Sequence, residues 1–190
     1  VELNGEEVFT ADRMTAWTAL NDIEVLKQCV PGCERLAATG EDRYEFVMNA
    51  AIGAVQSRFT GSVELADLIT PDSYTMRFDS SDGEAGFARG DVLVTLADAG
   101  AGTRLSYTAN VQIDGKLAQV GATLIDAAAG AMADKFFKAF DARLRTRARA
   151  ELDATRLHFD ADLLKALHAP ATFGFGSQLQ ALLKRLFRRD

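Results

Sequence analysis

Between Arg35 and Ile113 apolar and polar residues alternate with a period of two. Tyr44, Phe46, Met48, Ala50 and Ile52 fall on one side of an extended chain, with Glu45, Val47 and Asn49 on the other. Phe59, Gly61, Val63 and Leu65 alternate with Arg58, Thr60, Ser62 and Glu64, and Tyr74, Met76 and Phe78 with Thr75, Arg77 and Asp79. Leu105, Tyr107, Ala109, Val111 and Ile113 give the cleanest run, against Arg104, Ser106, Thr108, Asn110 and Gln112. Turn chemistry at Gly53, Pro71-Asp72, Ser81-Asp82-Gly83 and Gly100-Ala101-Gly102 separates the runs. The pattern predicts an antiparallel meander with one apolar and one wet face.

Other elements flank the meander. A first strand is expected over the opening residues, ending near Ala11. Asp12 is placed to cap a short helix through Trp17 to Leu20, and Asn21 or Asp22 a second through Leu26 and Cys29, stopped by Val30-Pro31-Gly32. After Asp114-Gly115, residues Leu117, Val120, Leu124, Ala128, Ala131, Met132, Phe136, Phe140 and Leu144 recur at steps of three and four. They predict a long helix from about Lys116 to Arg149, with a middle thinned by glycine and alanine. The register is less clear beyond Ala150, although Leu152, Arg156, Phe159, Leu163 and Leu167 allow a helix to continue. His168 to Ser177, with Pro170, Gly174 and Gly176, reads as a linker. The expected organisation is a ligand-binding domain over 1–150, a partly helical linker over 151–176 and a terminal helix over 177–190.

That terminal helix is sharply amphipathic. Leu179, Leu182, Leu183, Leu186 and Phe187 form one stripe, and Lys184, Arg185, Arg188 and Arg189 fall on the opposite and flanking faces. Fourteen residues make about 20 Å of helix, too short for a hydrocarbon core of about 30 Å, but suited to lying in an interface. The stripe can dock on an anionic membrane surface, on a partner protein or on its own domain.

Charge sharpens this division. Residues 1–150 hold 22 acids and 15 bases, whereas residues 151–190 hold 5 acids and 6 bases. An acidic body repels phosphate and argues against nucleic-acid binding. A hydrophobic fraction of 48% fits a globular chain, and no apolar run reaches 18 residues. The first ten residues lack the basic flank and apolar block of a signal peptide, and two cysteines are too few for a disulfide framework. The expectation is a cytoplasmic protein, peripheral on the inner face of the cytoplasmic membrane if the tail docks there.

Catalytic chemistry is sparse. The two histidines, His158 and His168, lie outside residues 1–150, which removes histidine-based triads from the body. Cys29 and Cys33 are spaced as neither a CxxC pair nor half a zinc site, and read as buried or incidental thiols. No phosphate loop or dinucleotide fingerprint is present, and Glu6-Glu7 and Glu41-Asp42 read as solvated charge. Neither a catalytic residue, a metal site nor a resident cofactor is expected.

One strand, two short helices, six more strands and a long helix is the order of the helix-grip fold, an α+β architecture. In it a curved antiparallel seven-stranded sheet wraps a long C-terminal helix. Large side chains on the sheet (Phe46, Met48, Phe59, Phe78, Phe87, Tyr107) face alanine and glycine on the helix. Such a pairing either interdigitates into a solid core or leaves a cavity. Candidate ligand contacts are Tyr44, Phe46, Met48, Phe59, Phe78, Phe87, Tyr107, Val111, Leu124, Ala128, Met132 and Phe136, with Tyr44, Tyr107 and Asn49 as polar anchors.

Leu26-Lys-Gln-Cys-Val-Pro-Gly-Cys-Glu34 resembles the PG turn after the short helices of the carbon monoxide dehydrogenase CoxG family. Gly115-Lys-Leu-Ala-Gln-Val-Gly-Ala-Thr-Leu-Ile125 is similar to that family's entry into its long helix, and Asp134-Lys-Phe-Phe-Lys-Ala-Phe140 to its far end. Gly61-Ser-Val-Glu-Leu65 and Gly102-Thr-Arg-Leu-Ser-Tyr107 sit in the matching order. The resemblance spans roughly residues 1–145. It implies a START-like (SRPBCC) fold and a non-enzymatic protein that binds an apolar molecule, a quinone or a lipid. It also implies a link between a molybdenum-containing carbon monoxide dehydrogenase, or a related hydroxylase, and the membrane. The alternatives are a membrane adaptor with a solid core and, further off, an enzyme acting on a hydrophobic substrate.

Overall fold

The computed structural model describes residues 1–84 and 86–168. In chain order it comprises β1 (Glu2–Phe9), α1 (Arg13–Leu20), α2 (Ile23–Cys29), β2 (Cys33–Gly40), β3 (Arg43–Ile52), β4 (Val55–Ile69), β5 (Ser73–Ser81), β6 (Phe87–Ala99) and β7 (Gly102–Ile113). A 3₁₀ turn, Ala118–Val120, then precedes α3 (Ala122–His168). Val1–Ala148 forms one compact unit, and the chain from Arg149 a second.

Capping fixes the two short helices. The Asp12 carboxylate accepts from Thr15 N (3.0 Å) and from the Thr15 hydroxyl (2.6 Å), which also holds its pKa below the ordinary value. Asp22 accepts from Glu24 N at 3.0 Å and opens α2. Pro31 and Gly32, the latter at φ 73°, then turn the chain into β2. Asn49 N donates to Gly32 O at 2.9 Å, tying this turn to the sheet.

The seven strands form one antiparallel sheet in the order β1-β7-β6-β5-β4-β3-β2. Strands β2 to β7 run as a meander, and β1 pairs with β7, so β1 and β2 are the edges. Register confirms the predicted parity: Phe46 pairs with Gly61, Val63 with Phe78, and Gly90 with Phe78 and Val111. All of these face inward.

The long helix starts later than the sequence predicts. Gly115 (φ 79°) and Gly121 (φ 98°) frame the 3₁₀ turn, and a backbone at positive φ cannot continue a right-handed helix, so α3 begins at Ala122 instead of Lys116. It runs on to His168, past the expected end near Arg149. Within the second unit, residues 149–156 are exposed, Leu152 at 70%. The predicted linker from residue 169 and the amphipathic helix over 177–190 lie outside the described residues.

Two apolar clusters hold the inner side of the first unit. The larger joins Phe9, Trp17, Leu20, Cys29, Tyr74, Val94, Leu96, Leu105, Phe140 and Leu144. Aromatic edges fasten it: Phe9 meets Phe140 at 5.3 Å, and Trp17 meets Tyr74 at 5.6 Å. The smaller joins Phe59 and Leu117 to Met48, Ala50, Ile52, Val55 and Ile113 at the β3–β4 hairpin end.

Candidate functional site

The inner face between those clusters differs from both. Tyr44, Phe46, Val63, Phe78 and Val111 on the sheet, and Ala128 and Met132 on α3, are half-buried and pack into neither cluster. Burying such side chains fully would contribute roughly 1.5–3 kcal/mol each, so a row of half-buried ones is an uncollected gain. The two glycines here differ. A Cβ on Gly130 of α3 would meet nothing within 4 Å, whereas the Phe46 ring takes up the place that a side chain on Gly61 would fill. A Cβ there would lie 2.8 Å from Phe46 Cζ and closer still to the Asp79 carbonyl.

The other sequence-predicted contacts divide three ways. Phe59 is 5% exposed and, with Met48, belongs to the smaller cluster. Tyr107 and Phe136 pack against the larger one, Tyr107 stacked on Phe137 at 5.5 Å and Phe136 on Phe140 at 5.8 Å. Phe87 and Leu124 do not fit the expected place. Phe87 pairs with Ser81 on the outer face, under the Arg89 guanidinium at 5.0 Å, because β6 enters one residue out of phase with its neighbours' aromatics. Leu124 is 52% exposed, since the late start of α3 rotates the inward face onto Ile125, Ala128 and Met132.

Of the expected polar anchors, Tyr44 and Tyr107 share the inward parity of Phe46 and Leu105, and Asn49 is corrected. Asn49 points outward and donates to Glu34 at 2.6 Å, while Arg58 donates to the other Glu34 oxygen at 2.8 Å. These bonds hold the Glu34 carboxyl below its ordinary pKa. Tyr107 lies flat across Gly5 of β1, where a Cβ would be 2.6 Å from its hydroxyl. Partial burial, then the nearby Asp134 and Glu7, push its phenol up. Tyr44 is raised by burial and by Asp42. Glu7 was missed by sequence reasoning. It shares the inward parity of Leu3, Gly5 and Phe9, an alternation legible in the opening strand.

Neither cysteine lies in the half-buried row. Burial raises both thiols, Cys29 in the larger cluster and the half-buried Cys33, which makes them poor nucleophiles. Among the described residues no group of three His, Cys, Asp or Glu is placed to hold a metal ion, and no helix is long and apolar enough to cross a membrane. Two open grooves of about 690 and 490 Å³ lie on the outer face. They are walled by charged residues such as Arg77, Asp79, Arg89 and Asp91, with Arg77 and Asp91 3.5 Å apart. That is the solvated side of the sheet.

Solved structures share the architecture. A conserved protein from Geobacillus kaustophilus matches with a TM-score of 0.73 and 25% identity, covering 77% of this chain and 96% of its own. A START superfamily protein from Mycobacterium smegmatis matches at 0.58 and 12% identity, over 76% and 97%. A Streptomyces aromatase/cyclase matches at 0.60 and 12%, over 80% and 97%. At such identities the last two show the fold alone, which is START-like helix-grip. No curated protein matches the chain. Residues 5–145 match the carbon monoxide dehydrogenase family CoxG, and the chain belongs to that family.

Proposed function

We propose that this protein is a carrier without catalytic activity, which holds an apolar molecule, a quinone or a lipid, between its sheet and α3. The cargo passes between the cytoplasmic membrane and a molybdenum-containing carbon monoxide dehydrogenase or related hydroxylase. The observation that carries the reading is the half-buried row Phe46, Val63, Phe78, Val111 and Met132, lying between two packed clusters and under a helix of small residues. A site of that kind binds by area and shape, with few polar contacts. Membership of the CoxG family supports a dehydrogenase as the partner. The basic amphipathic stretch 177–190 supports contact with an anionic membrane surface.

The test is extraction of the purified protein with organic solvent, paired with native mass spectrometry. An isoprenoid quinone or lipid should be found bound, and Ala128→Phe should abolish its uptake at small cost in stability. A protein that carries no apolar species and takes up no added ubiquinone-2 would sink the carrier. Removal of 177–190 should leave the first unit folded and abolish flotation with phosphatidylglycerol vesicles. Flotation that survives the truncation would remove the tail from the membrane contact.

A further inference from the structure

The hairpin joining β3 and β4 ends in a two-residue turn, Gly53-Ala54, with Gly53 at φ 61°. Loop tips are normally polar because they sit in water. This one is not. No charged residue occurs from Phe46 to Ser57, and Ala51, Gly53 and Ala54 are exposed at the tip. The segment packed against it has the same character. From Leu117 to Ile125 there is again no charge, and Gly121, Ala122 and Leu124 are exposed, Leu124 at 52%. The two segments touch: a Cβ built on Gly53 lies 3.2 Å from Val120 Cγ1 and 3.7 Å from Leu124 Cδ1.

This uncharged end is continuous with the interior. Directly behind the tip, Leu117, 2% exposed, is seated with Phe59 against Met48, Ala50, Ile52, Val55 and Ile113. Leu117 is held by a short segment whose ends, Gly115 and Gly121, both sit at positive φ. A small cluster thus separates an exposed apolar tip from the half-buried row of Phe46, Phe78 and Val111. From these contacts we infer that the β3–β4 tip and the Leu117–Leu124 segment form the surface at which the protein meets a lipid bilayer and exchanges its cargo, with Leu117 as the stopper.

A bilayer is the occupant because of charge. The exposed polar residues at this end, among them Gln56, Gln119 and Thr123, are neutral. An uncharged tip inserts into hydrocarbon without leaving a charge desolvated. The inference rests on the carrier reading and adds the port to it. An apolar cargo then moves between hydrocarbon and interior without crossing water.

The full chain provides the test. Ala54→Trp should be quenched by bilayers of brominated phosphatidylcholine mixed with phosphatidylglycerol, while Val8→Trp, 61% exposed at its native valine on the outer face, should not. Leu124→Glu and Ala54→Asp should lower the rate of ubiquinone-2 extraction from such vesicles about tenfold. Their binding of ubiquinone-2 added in solution should stay at the wild-type level. Leu124→Glu alters an exposed position, so it keeps the test readable if a hairpin variant folds poorly. Extraction at the wild-type rate by Leu124→Glu, or equal quenching at positions 54 and 8, would overturn the port while leaving the carrier intact. Failure of the wild type to bind ubiquinone-2 in solution would overturn the carrier, and the port with it.

Discussion

Truncating two phenylalanines separates an open interior from a solid one. Phe140 is fully buried, ringed by Phe9 at 5.3 Å and Phe136 at 5.8 Å. Phe140→Ala loses the transfer energy of the ring and leaves a hole, so it should cost about 3–5 kcal/mol. At roughly 2–4 °C per kcal/mol for a domain of this size, the midpoint should fall by about 6–20 °C. Phe78 has the same chemistry and a different setting: it is half-buried on the inner face and belongs to neither cluster. If the interior is open, its truncation removes fewer contacts and only enlarges that opening, so delipidated Phe78→Ala should lose under about 1.5 kcal/mol. Urea unfolding of both variants, followed by circular dichroism, gives the comparison directly. With ubiquinone-2 present, wild type should gain stability and Phe78→Ala should gain less. Equal losses for the two truncations would mean that Phe78 is packed as tightly as Phe140. The interior would then be full, and the adaptor alternative would replace the carrier.

Three further outcomes follow from named contacts. Asp12→Ala removes the α1 cap and should cost about 0.5–2 kcal/mol in chemical denaturation at neutral pH. Because the folded-state pKa of Asp12 is lowered, its contribution is present above the ordinary carboxylate value and is lost as pH falls through the folded one. The gap between wild type and Asp12→Ala should therefore close in acid, and a gap that persists below pH ~2 would refute the charge-based cap. Gly61→Val drives a side chain into the Asp79 carbonyl and the Phe46 ring and should destabilise by at least ~1–3 kcal/mol, read as a lowered thermal midpoint. Arg58→Ala breaks the exposed Glu34 pair and should leave the thermal midpoint nearly unchanged, with any difference vanishing in high salt.

Period-two alternation made the sheet legible because each strand has one wet face, so parity alone assigned Phe46, Phe78 and Val111 to the inside. The same rule puts Asn49 outside with Glu45 and Val47, where its amide serves Glu34 and not a ligand. Phe87 is harder to place by parity, because only one polar residue, Arg89, follows it before Gly90 blurs the alternation. The two glycines around the 3₁₀ turn were visible, but their positive φ was not, since glycine fits a helix at modest cost and only tertiary context decides. That single unresolved backbone state moved the start of α3 from Lys116 to Ala122 and turned Leu124 from a lining residue into a surface one.

The same shift changes what the Gly115–Gly121 segment is for. A continuous helix from Lys116 would have made Leu117 the first residue of an apolar stripe, equivalent to Val120 and Leu124. Set off by two glycines, the three residues separate by environment: Leu117 is buried against Phe59, Val120 is half-buried beside Gly53, and Leu124 is exposed. A stripe can only pack. A short segment with a buried leucine and glycine at both ends can also let go, because the backbone torsions that would change belong to residues without a side-chain penalty. Substituting Gly121 by alanine, with the wild-type φ of 98°, should strain the closed segment and leave the sheet untouched. The variant should therefore exchange ubiquinone-2 faster at nearly constant thermal midpoint, whereas unchanged exchange would deny the segment a part in opening.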